Sequence, residues 1–160
     1  SKKHTMSIAH QLLTPTEPDT CVDINKRLNS CSLIPVWFVR VELAERDDDR
    51  VRNSVANAVG LQYGAYNRVA FESSVGKQFF CPQQNSKSGD INTTVEMPTR
   101  ILTFSIVKET HKLVMAIEAI RETHSYEEPV IYITEGMASR ADYSTDRDNP
   151  NRWWNRGFDI

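Results

Sequence analysis

The chain has 160 residues, 39% of them hydrophobic and 25% charged, which is enough to bury one good core, so one principal domain is expected. Its formal net charge of −2 gives no general attraction to nucleic acid or to an anionic membrane, and neither partner is predicted. No apolar run approaches the roughly 18 to 20 residues of a membrane-spanning helix. No secretory signal pattern is recognised, so a cytoplasmic protein is expected.

The first part of the chain predicts an arm, a strand and a helix. Residues 1–33 are polar and contain two prolines, and they are predicted to form an amino-terminal arm. The β-branched and aromatic segment 36–43 alternates apolar and polar side chains and predicts a first strand. Three aspartates at 47–49 suit the positive end of a helix dipole, and Gly60 is the expected stop of that helix.

The middle of the chain predicts two further strands separated by a loop. Residues 66–74 alternate again and predict a second strand, which bends back near Gly76. Residues 81–98 are rich in Gln, Asn, Ser and Gly and are predicted to form a long exposed loop. Residues 101–107 predict a third strand. Cys81 is interpreted as a free cysteine, because no His-rich or basic neighbour is local in sequence.

The last part of the chain predicts a helix, a strand and a tail. Thr110 is the expected start of a helix with a single apolar stripe, and residues 130–133 supply a fourth strand. Residues 135–160 are predicted as a polar tail that carries Trp153 and Trp154. Such adjacent aromatic residues are expected to dock on the parent domain or on a neighbouring subunit, with a protein partner as the alternative.

The order strand, helix, strand, strand, helix, strand predicts an α+β fold of ferredoxin-like βαββαβ topology over residues 34–134. Right-handed crossovers would place both helices on one face of an antiparallel sheet. The first strand is apolar on both sides, so its other face needs a partner sheet, the terminal arms or a subunit interface. A homo-oligomer, either a dimer or a trimer, is therefore expected.

Residues 124–129, with the sequence HSYEEP, resemble the HPYEEP motif of the YqfO-type domain of the Nif-three-like family. Segments 60–68 and 76–82 resemble the glycine-containing segment at the start of that domain's second strand. A similar His-x-Tyr-Glu segment occurs in CutA divalent-ion tolerance proteins, which resemble PII regulators in fold and are trimeric. The resemblance covers about residues 35 to 134 and implies a ferredoxin-like oligomer. The family's dinuclear-metal core has no counterpart in these residues, so its metal chemistry is not carried over.

The first group of candidate ligand-binding residues is His124, Tyr126, Glu127 and Glu128. An imidazole and carboxylates at close spacing can bind a divalent ion or move protons, and His124 with Glu127 is the candidate metal pair. The structural alternative, which is favoured, is a helix end followed by the start of an edge strand. A metal site would need a second ligand cluster. The other histidines are His4, His10 and His111.

The second group is Tyr66, Asn67 and Arg68, which could line a ligand pocket beside residues 124–129. Arg68 offers a planar fork for a carboxylate or a phosphate. A turn relieved by glycine and followed by a strand with an exposed arginine explains the same residues equally well.

The predicted function is a non-catalytic oligomeric module of YqfO type that binds or senses a divalent metal or a small metabolite. One alternative is a small enzyme whose site forms at a subunit interface from His124 and Arg68. The other is a protein-interaction module that uses the tail with Trp153 and Trp154. No catalytic residue is assigned, and a divalent metal is the one cofactor considered.

Overall fold

The computed structural model describes residues 21–47, 49–87 and 89–157. The chain divides into two compact units, Ile34–Arg140 and a smaller unit formed by the described parts of residues 1–33 and 141–160. Within the described residues, no helix combines the length and apolar character needed to cross a membrane.

Three α-helices and five strands make up the regular structure of the described residues. In chain order they are α1 Cys21–Asn25, β1 Cys31–Ala44, α2 Arg50–Val59, β2 Phe71–Glu72, β3 Gly76–Phe80, β4 Val95–Val107, α3 Thr110–Thr123 and β5 Ile131–Ala141. Short 3-10 helices cover Glu45–Asp47, Tyr143–Thr145 and Trp153–Asn155.

The sheet has the strand order β2-β4-β1-β5, and β3 also pairs with β4. β1 and β4 run antiparallel from the pair Val36 and Val107 to the pair Ala44 and Thr99. Together β2 and β3 occupy the position of one strand, so the order is that of a ferredoxin-like βαββαβ fold. The predicted fold class is therefore confirmed.

Helices α2 and α3 cover the same face of the sheet. Alternate side chains of β1 and β4 point to that face because successive residues of a strand project to opposite sides. These side chains form one buried cluster with residues of α2 and α3. The cluster contains Val39, Val41, Leu43, Val51, Val55, Ala56, Leu61, Leu102, Phe104, Ile106, Ala116, Ala119 and Ile120. The predicted placement of the helices is thus confirmed.

Helix α2 ends where the sequence predicts. Gly60 has φ +79°, a conformation that residues with a Cβ rarely adopt, and its N–H donates to Ala56 O at 2.8 Å. At the other end, Asp49 makes no capping hydrogen bond with its side chain. Asp47 is fully buried in the preceding 3-10 helix and makes other contacts, described below.

Two strands differ from their predicted bounds in the middle of the chain. Residues 66–74 form a strand only at Phe71–Glu72, because the N–H groups of Arg68 and Val69 donate to carbonyls at the end of α2 instead of to a strand. β4 begins at Val95, inside the predicted loop 81–98. Residues 95–98 become strand because β3 pairs with them, and cross-strand pairing overrides weak local propensity.

The central strand β1 and the edge strand β5 are also longer than predicted, since β1 begins at Cys31 and β5 continues to Ala141. β5 therefore extends beyond residue 135, where the tail was expected to begin.

The smaller unit is held by side-chain to backbone contacts. The Asn25 amide donates to Leu33 O at 3.0 Å and its carbonyl oxygen accepts from Leu33 N at 2.6 Å. Trp153 and Trp154 make an edge-to-face contact with ring centroids 5.9 Å apart, and both remain partly exposed. Their predicted docking stays a prediction.

Candidate functional site

The HSYEEP loop (residues 124–129) connects α3 to β5 and is anchored by a buried histidine. The side chain of His124 is fully buried, and its Nε2 lies 2.7 Å from Glu42 O on β1. Its Nδ1 accepts the N–H of Tyr126 at 3.1 Å. Because Nδ1 accepts a hydrogen bond, Nε2 carries the proton and donates to Glu42. Both ring nitrogens are therefore engaged in fixing the loop.

The buried carboxylate of Asp47 also holds the HSYEEP loop. Asp47 Oδ1 accepts from the N–H of Ser125 at 3.1 Å and from Arg50 Nη2 at 2.6 Å. Asp47 Oδ2 accepts from Ser125 Oγ at 3.1 Å. Ser125 stands where the resembled motif has proline, and a proline has no N–H to donate to Asp47. The departure from that motif thus creates a specific anchor in this chain.

A cavity of about 840 Å³ lies beside the HSYEEP loop. One wall is formed by the end of β3 and the residues that follow it, and the other by residues 125–130, with Arg46 contributing from the 3-10 helix. Its apolar lining residues are Phe79, Phe80, Pro82, Tyr126 and Val130. Apolar atoms supply most of the lining surface, while the remaining lining residues carry polar side chains or, at Cys81, a thiol.

Two cationic and two acidic side chains line the cavity. Arg46 Nε donates to Ser125 Oγ at 3.0 Å, and its guanidinium carbon lies 5.4 Å from the centroid of the Tyr126 ring. Glu127 Oε1 accepts the backbone N–H of Lys87 at 2.9 Å, which joins the two walls. Glu128 is 93% exposed and lies 3.9 Å from Arg121. The Glu127 carboxylate is thus held by the protein through one oxygen, whereas Glu128 is almost fully exposed.

Tyr126 forms the aromatic floor between these groups. Its ring centroid lies 6.4 Å from that of Phe80 and 5.1 Å from that of His124. Burial raises the pKa of Tyr126, the Arg46 guanidinium opposes this rise, and the Asp47 carboxylate adds to it. The hydroxyl makes no hydrogen bond with any described residue, and the Thr99 hydroxyl donates to Met97 O at 3.1 Å.

The structure separates the two predicted groups of site residues within this chain. Tyr126, Glu127 and Glu128 line the cavity, whereas His124 lies beneath the loop. Tyr66, Asn67 and Arg68 are exposed in the turn that follows α2 and are not lining residues. The Arg68 guanidinium instead donates to the side-chain oxygens of Asn57 at 3.1 Å and Asn53 at 3.4 Å.

Sequence reasoning missed three contributors to the cavity: Arg46, Phe80 and Lys87. Arg46 and Lys87 lie far from residue 124 in sequence, and nothing local marks them as neighbours of the HSYEEP loop. Phe80 lies in segment 76–82, which the resemblance included, so that segment was the available signal. Cys81 is a free, exposed thiol on the cavity wall.

The described residues contain no cluster of potential metal ligands that would support the metal hypothesis. In ranges 21–47, 49–87 and 89–157, no three His, Cys, Asp or Glu side chains are arranged to hold a metal ion. His111 is exposed beside Glu109, and His4 and His10 lie outside the described residues. Metal binding by His124 and Glu127 stays a prediction.

Among solved structures, the chain is similar to a Bacillus cereus protein related to NIF3, with a TM-score of 0.55 and 18% sequence identity. That match covers 68% of this chain and 27% of the other chain. Because the identity is low, the likeness concerns the fold, and at that level it confirms the resemblance to the Nif-three-like domain.

The CutA proteins give lower scores. CutA from Synechococcus elongatus matches with a TM-score of 0.48 and 13% identity, over 72% of this chain and 90% of that chain. The divalent ion tolerance protein CutA1 from Ehrlichia chaffeensis matches with a TM-score of 0.47 and 12% identity, over 63% of this chain and 80% of that chain. No family model matches the sequence, and no curated protein matches it.

Proposed function

We propose that this chain is a non-catalytic binding or sensing module that takes a small molecule into the cavity beside the HSYEEP loop and works as a homo-oligomer. The observation that carries the proposal is the cavity itself. Its volume of about 840 Å³ is within the range of small-molecule sites, which is about 300 to 1,000 Å³. An apolar lining with a few fixed polar groups is also typical of such sites.

The loop geometry supports binding over catalysis. A general base needs a nitrogen or oxygen within reach of the substrate proton. Both nitrogens of His124 are bonded within the protein, and Glu127 is held by the Lys87 amide. The raised pKa of Tyr126 keeps its hydroxyl protonated near neutral pH. The same occupied nitrogens favour an organic ligand over a metal ion bound by His124.

A ligand-dependent thermal shift tests the binding role. We expect at least one compound of a metabolite library to raise the melting temperature, since a ligand that binds only the folded state stabilises it. The shift should be lost in Phe80→Ala, which removes an aromatic wall of the cavity, and kept in the control variant Val114→Ala, which changes an exposed apolar residue of α3. Turnover of the stabilising compound would contradict a non-catalytic role.

The exposed face of the sheet supports self-association. Phe71, Thr103 and Arg40 lie opposite one another across β2, β4 and β1, and the Arg40 guanidinium lies 5.6 Å from the centroid of the Tyr132 ring. Phe71 is 67% exposed and Phe38 is 44% exposed. Exposed aromatic side chains on one face of a sheet are typical of interaction surfaces, and a second copy of the chain is the partner we propose.

Native mass spectrometry of metal-free and metal-supplemented protein tests the assembly and the metal hypothesis together. We expect a dimer or trimer that Phe71→Lys converts to monomer. The control Val114→Lys places the same charge on an exposed apolar site of α3 and should leave the assembly intact. A wild-type monomer at micromolar concentration would refute self-association. Uptake of one divalent ion that His124→Ala abolishes would restore the metal hypothesis.

A further inference from the structure

The cavity is lined by two cationic and two acidic residues, which differ in the protein contacts that they already make. Arg46 and Lys87 form no ion pair with any described carboxylate. The acidic residues differ, because Glu127 already accepts the Lys87 amide and Glu128 extends into solvent near Arg121. The amide that Glu127 accepts is neutral, so the formal charges of these four residues still cancel, but the charged hydrogen-bond donors at the cavity that have no acceptor among the described residues include the Nη groups of Arg46.

Arg46 is held in one orientation while its outer edge stays open. Its Nε donates to Ser125 Oγ, and its guanidinium lies over the Tyr126 ring. No described residue accepts a hydrogen bond from its two Nη atoms. A guanidinium held in this way can bind both oxygens of a carboxylate or phosphate through parallel hydrogen bonds. Less rotational freedom is lost on binding because two contacts already fix the side chain.

The open edge of Arg46 adjoins the aromatic wall. Tyr126 contacts Arg46 on one side and lies within 6.4 Å of Phe80, centroid to centroid, on the other. We infer that the cavity selects small organic anions in which a carboxylate or phosphate is joined through a short linker to a flat apolar body. In this arrangement the anionic group contacts Arg46, with Lys87 adding charge, and the body packs on Tyr126 and Phe80. The inference rests on the proposed function and specifies its ligand class.

Amide chemical-shift titration of the full chain tests the inference with four defined probes. The probes are phenylacetate, its neutral analogue phenylacetamide, phenyl phosphate and inorganic phosphate. We expect phenylacetate to shift the amides of Ser125, Tyr126 and Lys87 saturably and to bind at least about tenfold more tightly than phenylacetamide, the discrimination expected for hydrogen bonds to charged groups. Tighter binding of phenyl phosphate than of phenylacetate assigns the site to phosphate esters, and the reverse order assigns it to carboxylates.

Variants separate the role of Arg46 from general effects on the fold. Arg46→Gln should bring the affinity for phenylacetate down to that for phenylacetamide. Arg46→Lys keeps the charge without the fork and should lose part of the difference. Lys112→Gln removes a cation on α3 that pairs with Glu109, and it should change neither affinity.

The failure of this inference differs from the failure of the proposed function. Equal affinity of phenylacetate and phenylacetamide at the cavity amides, unchanged by Arg46→Gln, would overturn anion selection and leave a ligand-binding cavity. Absence of any probe-induced shift at Tyr126 up to about 10 mM, where fragments of this size normally register, would overturn both. Binding of inorganic phosphate as tight as that of phenyl phosphate would refute the contribution of the apolar wall.

Discussion

Replacing Asp47 with alanine tests whether a single buried carboxylate holds the HSYEEP loop. The Asp47 side chain is fully buried and accepts three hydrogen bonds, from Ser125 N, Ser125 Oγ and Arg50 Nη2. In Asp47→Ala all three are lost, and the N–H of Ser125 is left in a partly buried position without an acceptor. The loop should then lose its fixed position relative to the cavity.

The magnitude follows from which groups can return to water. The Arg50 side chain is 55% exposed, so its guanidinium regains water and contributes little to the cost. A partly buried N–H without a partner costs about 1 to 3 kcal/mol, and the space left by the carboxylate adds to this. We expect the free energy of unfolding to fall by about 2 to 4 kcal/mol in Asp47→Ala. Asp47→Asn keeps one carbonyl acceptor and should lose about half as much.

Urea unfolding monitored by circular dichroism measures the effect. With a slope of about 2 kcal/mol per molar urea, which is the middle of the usual range for small proteins, the midpoint should fall by about 1 to 2 M. Asp49→Ala is the matched control, because Asp49 is 59% exposed and pairs with Arg52 on the surface, and it should change stability by less than about 1 kcal/mol. Equal losses in Asp47→Ala and Asp49→Ala would refute the role of Asp47 as the anchor of the loop.

Three further predictions follow from individual residues. His124→Ala should lower the free energy of unfolding by about 2 to 4 kcal/mol, because it deletes a buried ring and two hydrogen bonds. The control His111→Ala changes an exposed histidine and should change the free energy of unfolding by less than about 0.5 kcal/mol. Thermal unfolding compares the two variants, and equal effects would contradict the anchoring role of His124. The pKa of Tyr126 is raised in the folded state, so the unfolded chain loses the tyrosine proton first as the pH rises, and the stability contribution present below pH 10 is lost above it. Tyr126→Phe should remove that part of the alkaline loss of stability, and an unchanged pH profile would refute it. Gly60→Ala should lower the free energy of unfolding by about 1 kcal/mol, because Gly60 has a positive φ. In the control Gly136→Ala the added Cβ also has no neighbouring atom among the described residues, but φ is not positive, so stability should be nearly unchanged. Similar urea midpoints for the two variants would exclude backbone strain as the cause.

Local patterns were enough to determine the fold. The alternation in β1, the helical stripe of α3 and the stop at Gly60 are properties of neighbouring residues, and each element of the predicted order is present in the structure. Given that order, right-handed crossovers leave few topologies, so the sheet and the face covered by the helices could be predicted. The HSYEEP segment also identified in advance the loop that lines the cavity.

Elements that depend on cross-strand pairing were less predictable. The first residues of β4 belong to the stretch predicted as a loop, and they become strand because β3 pairs with them from Gly76 to Phe80. Residues 66–69 alternate like a strand, yet their backbone groups find acceptors at the end of α2. In both cases the structure depends on which groups accept and donate the backbone hydrogen bonds. The local pattern of side chains does not reveal those partners.

The sequence alone therefore determined the ferredoxin-like order of elements and predicted Tyr126, Glu127 and Glu128 as candidate ligand-binding residues, all three of which line the cavity. Only the tertiary structure decided that His124 is buried with both nitrogens occupied, that Asp47 anchors the loop, and that Arg46 reaches the Tyr126 ring. Secondary structure follows largely from interactions between near neighbours in the chain. The roles of side chains in the site follow from contacts between segments that are distant in sequence and meet only when the chain has folded.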